Sequence, residues 1–267
     1  MQDKATLQDA LSMMRDLRVR CDWDARQTHD SLRPYLIEEA HELDAALRSG
    51  DVGPIRDELG DMLLQVLFHS VIAEEARAFD AGDVAAAMVS KMRRRHPHLF
   101  GGGARVSWEK MKASSRASLA DGLPSGLPSL HRAHRLQERA AGVGFDWSDT
   151  DGPAQKVEEE LVEVRDLLAG RPLTGEEDGS DAVAPVATDE RAIEAELGDL
   201  LFACVNLCRK AGVHAAVALD RANDKFVRRF EGVEGLAVER GLVMGEASLD
   251  ELDRLWDEVK RREISPR

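Results

Sequence analysis

A chain of 267 residues, 43% hydrophobic but only 4% aromatic, has enough apolar material for a core without disulfide staples, and unbranched side chains of the kind that suit helices. Its formal charge of −14 excludes a protein that grips DNA or RNA through a broadly basic surface, because backbone binding depends on clustered Lys and Arg. No signal peptide and no membrane-spanning apolar run is seen, and Cys21, Cys204 and Cys208 form no disulfide framework, so a cytoplasmic protein without a membrane partner is expected.

Taken in order, the first half reads Cys21-Asp22-Trp23-Asp24, then LIEEAHELDAAL, RDELGDMLLQVLF and SKMRRRHPHLF. The second reads Phe145-Asp146-Trp147-Ser148, then KVEEELVEVRDLL, EAELGDLLFACVN and NDKFVRRFEGV. An Asp-Trp pair, a Glu-rich segment, an E-L-G-D segment and a Lys with clustered Arg thus recur in the same order, which marks a duplication. Leu59, Leu63, Val66 and Leu67 fall at helical spacing, as do Leu197, Leu200, Leu201 and Val205. Pro34 and Pro153 stand ahead of the Glu-rich segments, where proline is compatible with a helix start. The expected fold class is all-α, with tandem duplicated helical bundles: a first domain over 1–120, a linker over 121–135 and a second domain over 136–267. Within the second domain, the acidic, Gly- and Pro-rich stretch 169–190 reads as a mobile loop. The Gly101–Gly103 triplet lacks the Gly-Lys-Ser/Thr ending of a phosphate loop and reads as a turn.

Spacing carries the chemistry. Glu39 and Glu42 are three apart, as are Glu58 and Asp61; in the second half Glu160 pairs with Glu163 and Glu196 with Asp199. A spacing of three puts both side chains on one helix face. Where two such faces meet, four carboxylates repel one another unless a hard divalent cation joins them, and all-oxygen ligation favours Mg²⁺ or Mn²⁺ over zinc. Gly60 and Gly198 lie inside these motifs, at a helical cost of about 1 kcal/mol each relative to Ala, as if another helix or a ligand approached. Glu158 and Glu190 read as solvated. Behind the second quartet stand Asn223, Lys225, Arg228 and Arg229, bases suited to phosphate oxygens. The first half has Lys91, Arg93, Arg94 and Arg95, but Val89 where the second has Asn223.

On E-E-x-x-E followed by E-x-x-D, on RRRHPHLF, VGFDW and ELGDLLFACVNL, the chain resembles the MazG family of nucleoside triphosphate pyrophosphohydrolases, in its long two-domain form. The resemblance runs from the first Asp-Trp segment to LWDEVKRREI near the end. It implies the all-α NTP pyrophosphohydrolase fold and hydrolysis of an NTP to NMP and diphosphate for nucleotide-pool house-cleaning. It also implies a Mg²⁺ requirement, with Mn²⁺ as a substitute, and a homodimer. Carried over by position, Glu160, Glu163, Glu196 and Asp199 are the metal ligands, and Glu159 or Glu163 the candidate base. Lys156, Glu159, Asn223, Lys225, Arg228, Arg229, Trp256 and Lys260 then hold the nucleotide, with Lys225 and Arg229 offsetting charge on the leaving diphosphate and Trp256 stacking on the base.

The first half has the complete quartet Glu39, Glu42, Glu58 and Asp61 but no Asn and no obvious counterpart of Trp256, although Trp108 lies downstream of its bases. It is expected to be the weaker metal site, with the second domain as the main active site. Two other readings compete. A di-iron bundle needs two Glu-x-x-His segments, and only Glu38 with His41 supplies one; His131 and His134, three apart, read as surface or interface. A non-catalytic, metal-dependent nucleotide sensor or interaction scaffold is the other.

Overall fold

The computed structural model describes residues 4–102, 118–169 and 186–264. The regular structure in these residues is all-α, and the chain divides into two compact units, Met1–Arg105 and Val106–Arg267. No single helix among the described residues is long and apolar enough to cross a membrane.

The first unit contains α1 (Leu7–Arg20), α2 (Asp22–Arg26), α3 (His29–Ser49), α4 (Val52–Glu75), α5 (Ala81–Arg95) and α6 (Pro97–Phe100). Capping boxes at Thr6, Thr28 and Asp80 satisfy amide groups that α1, α3 and α5 would otherwise leave unpaired. Gly50, in the left-handed conformation at φ 77°, ends α3 and lets α4 fold back along it. Met14, Leu32, Phe68 and Val71 form the core. Arg15 clamps Glu74 through two 3.0 Å hydrogen bonds and Arg18 pairs with Glu75, tying α1 to the end of α4.

The second unit contains α7 (Ser129–Gly142), α8 (Asp151–Ala169), α9 (Val186–Lys210), α10 (Ala215–Glu239) and α11 (Leu249–Ile264). α8 packs along α9, α7 lies against α9 and α10, and α11 closes on α10 around Val233, Leu236, Ala237, Leu255 and Val259.

Boundaries differ from the sequence expectation in three places. Pro34 sits inside α3 rather than at its start, because the Thr28 capping box begins the helix earlier. Residues 129–135 of the expected linker belong to α7, which buries Gln137 and Arg139. Ala169 closes α8 and α9 begins at Val186, so the ends of the stretch expected as a loop are helical; the rest of it, and Trp108, lie outside the described residues.

The apolar stripes are covered only in part. Phe68 and Val71 of α4 and Val205 of α9 are buried, whereas Leu59, Val66, Leu197 and Leu201 stand exposed. Nothing lies within 4 Å of a Cβ built on Gly60 or Gly198, so no neighbour within this chain accounts for either glycine.

Candidate metal and nucleotide site

Each half folds its two Glu-rich helices so that carboxylates converge. Glu39 and Glu42 of α3 meet Glu58 of α4, and Glu160 of α8 meets Glu196 and Asp199 of α9, each residue offering an oxygen within 4.8 Å of the others in its group. The fourth members stand beside these trios. Asp61 adds negative charge to Glu39 and Glu58, and Glu163 stands beside Glu160 and Glu196. Burial first, then mutual repulsion, pushes the carboxyl groups of Glu39, Glu58 and Glu163 above their ordinary range. A set of oxygen donors with unrelieved negative charge fits a hard divalent cation.

The second site has a feature of its own. Glu160 is buried, and Lys156, one turn earlier on α8, places its ammonium 2.7 Å from Glu160 Oε1 and 3.1 Å from Glu159 Oε2. Hydrogen bonds to those two carboxylates raise the Lys156 pKa. Beside this group opens a cavity of 540 Å³, within the usual range of small-molecule pockets. Lys156, Glu160 and Asp199 line it, Phe145, Trp147 and Phe202 supply aromatic surface, and Asn206, Gln137 and Arg209 add polar groups.

The walls are held by contacts distant in sequence. Arg209 grips Asp146 (2.5 and 3.2 Å) and Asn206, while Lys210 donates to the Trp147 carbonyl at 2.6 Å, clamping the Asp-Trp segment onto the end of α9. The Arg209 guanidinium holds the Asp146 carboxyl below its ordinary range. The Trp147 indole lies against Gly152, where an added Cβ would fall 2.0 Å from the ring, so only glycine admits it. Gln137 donates to the Phe202 carbonyl at 2.8 Å, and Arg139 to the carbonyls of Leu119 and Asp121 at 2.7 and 2.9 Å.

The first half arranges the same motif differently. Trp23 packs edge-on against Tyr35 and Phe68, at 6.1 and 6.5 Å between ring centres. Its 320 Å³ cavity is lined by Ala5, Asp9, Met13, Gly60 and leucines, and by none of the four quartet carboxylates.

The remaining expected residues lie on α10 and α11. Arg228 and Arg229 pair with Glu263, Arg229 lies over the Trp256 ring at 5.9 Å, Trp256 packs on Phe226, and Lys260 pairs with Asp257. Asn223 and Lys225 are exposed on α10. These described contacts join Arg229, Trp256 and Lys260 to α10 and α11, whereas Lys156 and Glu159 belong with the carboxylates. Phe145, Trp147, Phe202, Asn206 and Arg209 were not singled out from sequence as lining a site. A signal existed: Phe202 and Asn206 follow Asp199 at i+3 and i+7, on the same helix face.

All-helical halves with paired carboxylate faces, one of them beside an aromatic-lined cavity, define a class of protein with oxygen donors grouped as a divalent cation requires. Comparison with known proteins narrows this further. A profile of the MazG nucleotide pyrophosphohydrolase domain matches residues 27–100 and 153–233, one stretch in each half, and each contains a complete quartet. The nucleoside triphosphate pyrophosphohydrolase of Escherichia coli K12 is 39% identical over 266 residues, with 95% of each chain covered. The nucleoside triphosphate pyrophosphohydrolase/pyrophosphatase MazG of Thermotoga maritima is 40% identical over 262 residues, again with 95% of each covered. The nucleoside triphosphate pyrophosphohydrolase of Mycobacterium tuberculosis is 42% identical over 168 residues, 59% of this chain and 50% of that one. The chain belongs to the MazG nucleotide pyrophosphohydrolase family.

Proposed function

We propose that this chain hydrolyses nucleoside triphosphates to the monophosphate and diphosphate in a Mg²⁺-dependent reaction, with the second half as the main active site. The observation that carries this reading is the cavity lined at once by Lys156, Glu160, Asp199 and three aromatic rings, whereas the 320 Å³ cavity of the first half is lined by none of its quartet carboxylates. The charged groups suit a triphosphate held through a cation, and Phe145, Trp147 and Phe202 suit a base, which stacks on aromatic surface largely whatever its identity.

Glu160, Glu163, Glu196 and Asp199 would hold the cation, with Mn²⁺ able to replace Mg²⁺. When bound, the ion supplies positive charge against phosphate oxygens and makes a water more acidic. Glu163, its carboxyl pushed up by loss of hydration and by its acidic neighbours, is the proposed acceptor of a proton from the water that attacks the α-phosphorus. Lys156, once Glu160 is shared with a cation, has charge to offer a phosphate oxygen. Lys225, Arg228 and Arg229, with Asn223 beside them, are the proposed partners of the outer phosphates, and Trp256 and Lys260 complete that group.

A homodimer would cover the open apolar faces of α9 and α10, where Leu197, Leu201, Phe226 and Val227 are exposed. Three free thiols support a reducing, cytoplasmic setting.

The test is diphosphate release from a panel of ordinary, deoxy, oxidised and deaminated triphosphates. Glu196→Ala/Asp199→Ala is expected to abolish release, and Glu58→Ala/Asp61→Ala to leave most of it. Equal loss in both variants refutes the ranking of the halves. Binding without release from any nucleotide favours the sensor reading.

A further inference from the structure

Asn206 stands on α9 in the wall of the 540 Å³ cavity and is only 7% exposed. Its side-chain oxygen is fully engaged: Oδ1 accepts from Arg209 Nε at 3.0 Å and from Arg209 Nη2 at 2.7 Å. A guanidinium only donates, so these two bonds fix which end of the amide faces Arg209. Arg209 is itself gripped by Asp146. The other end of the amide, Nδ2, has no hydrogen-bond partner among the described residues, and it is not closed off from open space. A buried side chain that keeps one open, unspent donor on a cavity wall is equipped to give it to a ligand. Gln137, the other amide of the wall, gives its nitrogen to the Phe202 carbonyl at 2.8 Å, and its oxygen is closed off. Lys156 and Arg209, the cations of the wall, are bound to carboxylates.

Position says which part of a ligand this donor meets. Asn206 follows Asp199 by seven residues on α9, two turns and about 10 Å along the helix. That is comparable with the reach of a nucleotide from its α-phosphate to the edge of its base. We propose that Asn206 is a specificity-determining residue: its Nδ2 donates to a carbonyl or ring-nitrogen acceptor on the base, so that the cavity selects nucleotides whose base carries an acceptor on that edge. The proposal rests on the reading of this cavity as the seat of the base. Phe145, Trp147 and Phe202 attract any flat ring, whereas a donor in a buried wall separates a ring that accepts a hydrogen bond from one of the same shape that does not.

The experiment compares dTTP with the triphosphate of the shape-matched nucleoside whose base is difluorotoluene, a ring of nearly the same outline that accepts hydrogen bonds poorly. The wild-type chain is expected to prefer dTTP by about tenfold in kcat/KM. Asn206→Asp keeps an oxygen for Arg209 but replaces the donor by an acceptor, and should bring the ratio to about one or below. Asn206→Leu deletes the donor at similar volume and should do the same, with helical circular dichroism reporting the fold of both. A purely structural role predicts otherwise, since an aspartate pairs with Arg209 at least as well and would leave the ratio intact. Calorimetric Kd values for dTMP and its difluorotoluene counterpart read the same contact without cleavage. No diphosphate release from any triphosphate, with a preference between the monophosphates that the variants lose, refutes hydrolysis and supports this contact. Equal treatment of the two bases by the wild-type chain, or a preference that survives in either folded variant, overturns it.

Discussion

Lys156 shows how a single residue can hold a cluster of carboxylates together. Its ammonium neutralises Glu160, whose side chain is only 7% exposed and would otherwise be an uncompensated buried charge. Lys156 and a divalent cation therefore compete for the same carboxylate. Lys156→Met is expected to tighten Mg²⁺ binding in the absence of nucleotide by about fivefold, and to raise KM for a triphosphate by about tenfold, because a charge-assisted phosphate contact is lost. Calorimetry and steady-state kinetics on the same preparation check both; weaker Mg²⁺ binding would make Lys156 a support of the metal site rather than its competitor. The E-x-x-E and E-x-x-D residues were legible from spacing alone, since three residues is a helical neighbour distance wherever the helix goes. The aromatic lining of the cavity was not: Trp147, held by contacts of its segment with Arg209, Lys210 and Gly152, lines the same cavity as Glu160 and Asp199.

At the scale of elements, periodicity identifies the helices and misses where several begin. α3 starts at His29 because Thr28 and Ser31 cap it, and Pro34 is accommodated in its first turns. α7 emerges from a stretch rich in Gly and Pro because its buried face latches onto α9 through Gln137 and onto the preceding turn through Arg139. The start of α8 is shaped by the indole resting on it. Gly152→Ala should displace Trp147 and lower kcat/KM by about tenfold, mainly through KM, with little loss of helicity. Tryptophan fluorescence quenching by nucleotide reads the displacement directly; an unchanged KM would remove Trp147 from the nucleotide site.

For the whole molecule the dominant feature is an acidic chain, net −14, that concentrates negative charge at two points. Glu39, Glu58 and Glu163 have carboxyl pKa values raised by burial and by their acidic neighbours. Raised carboxylate values favour the folded state below the ordinary glutamate pKa of about 4.3 and lose that contribution as pH climbs through the raised values. Above that window the ionised quartets repel, and a divalent cation offsets the repulsion while protons no longer compete for the ligands. The rise in thermal midpoint on adding Mg²⁺ should therefore be small near pH 5 and grow toward pH 7.5. A shift that shrinks over that range would show that the quartets do not bind the ion. Acid-side stability is set by other groups: Asp146, Glu75 and Glu263, lowered by Arg209, Arg18 and Arg229, lose their contribution as pH falls.

What the sequence determined by itself is the all-helical class, the duplication, the two quartets and the family. These rest on local spacing, which a helix converts directly into shared faces, and on motif order. What the tertiary structure decided is how each half packs its Asp-Trp segment. Gln137 reaches Phe202 across 65 positions and Arg209 reaches Asp146 across 63, and these contacts open a cavity beside Glu160 and Asp199 while Trp23 is packed on Tyr35 and Phe68 in the first half. Helical periodicity is silent on such pairings, because it reports which residues share a face and not which face meets which.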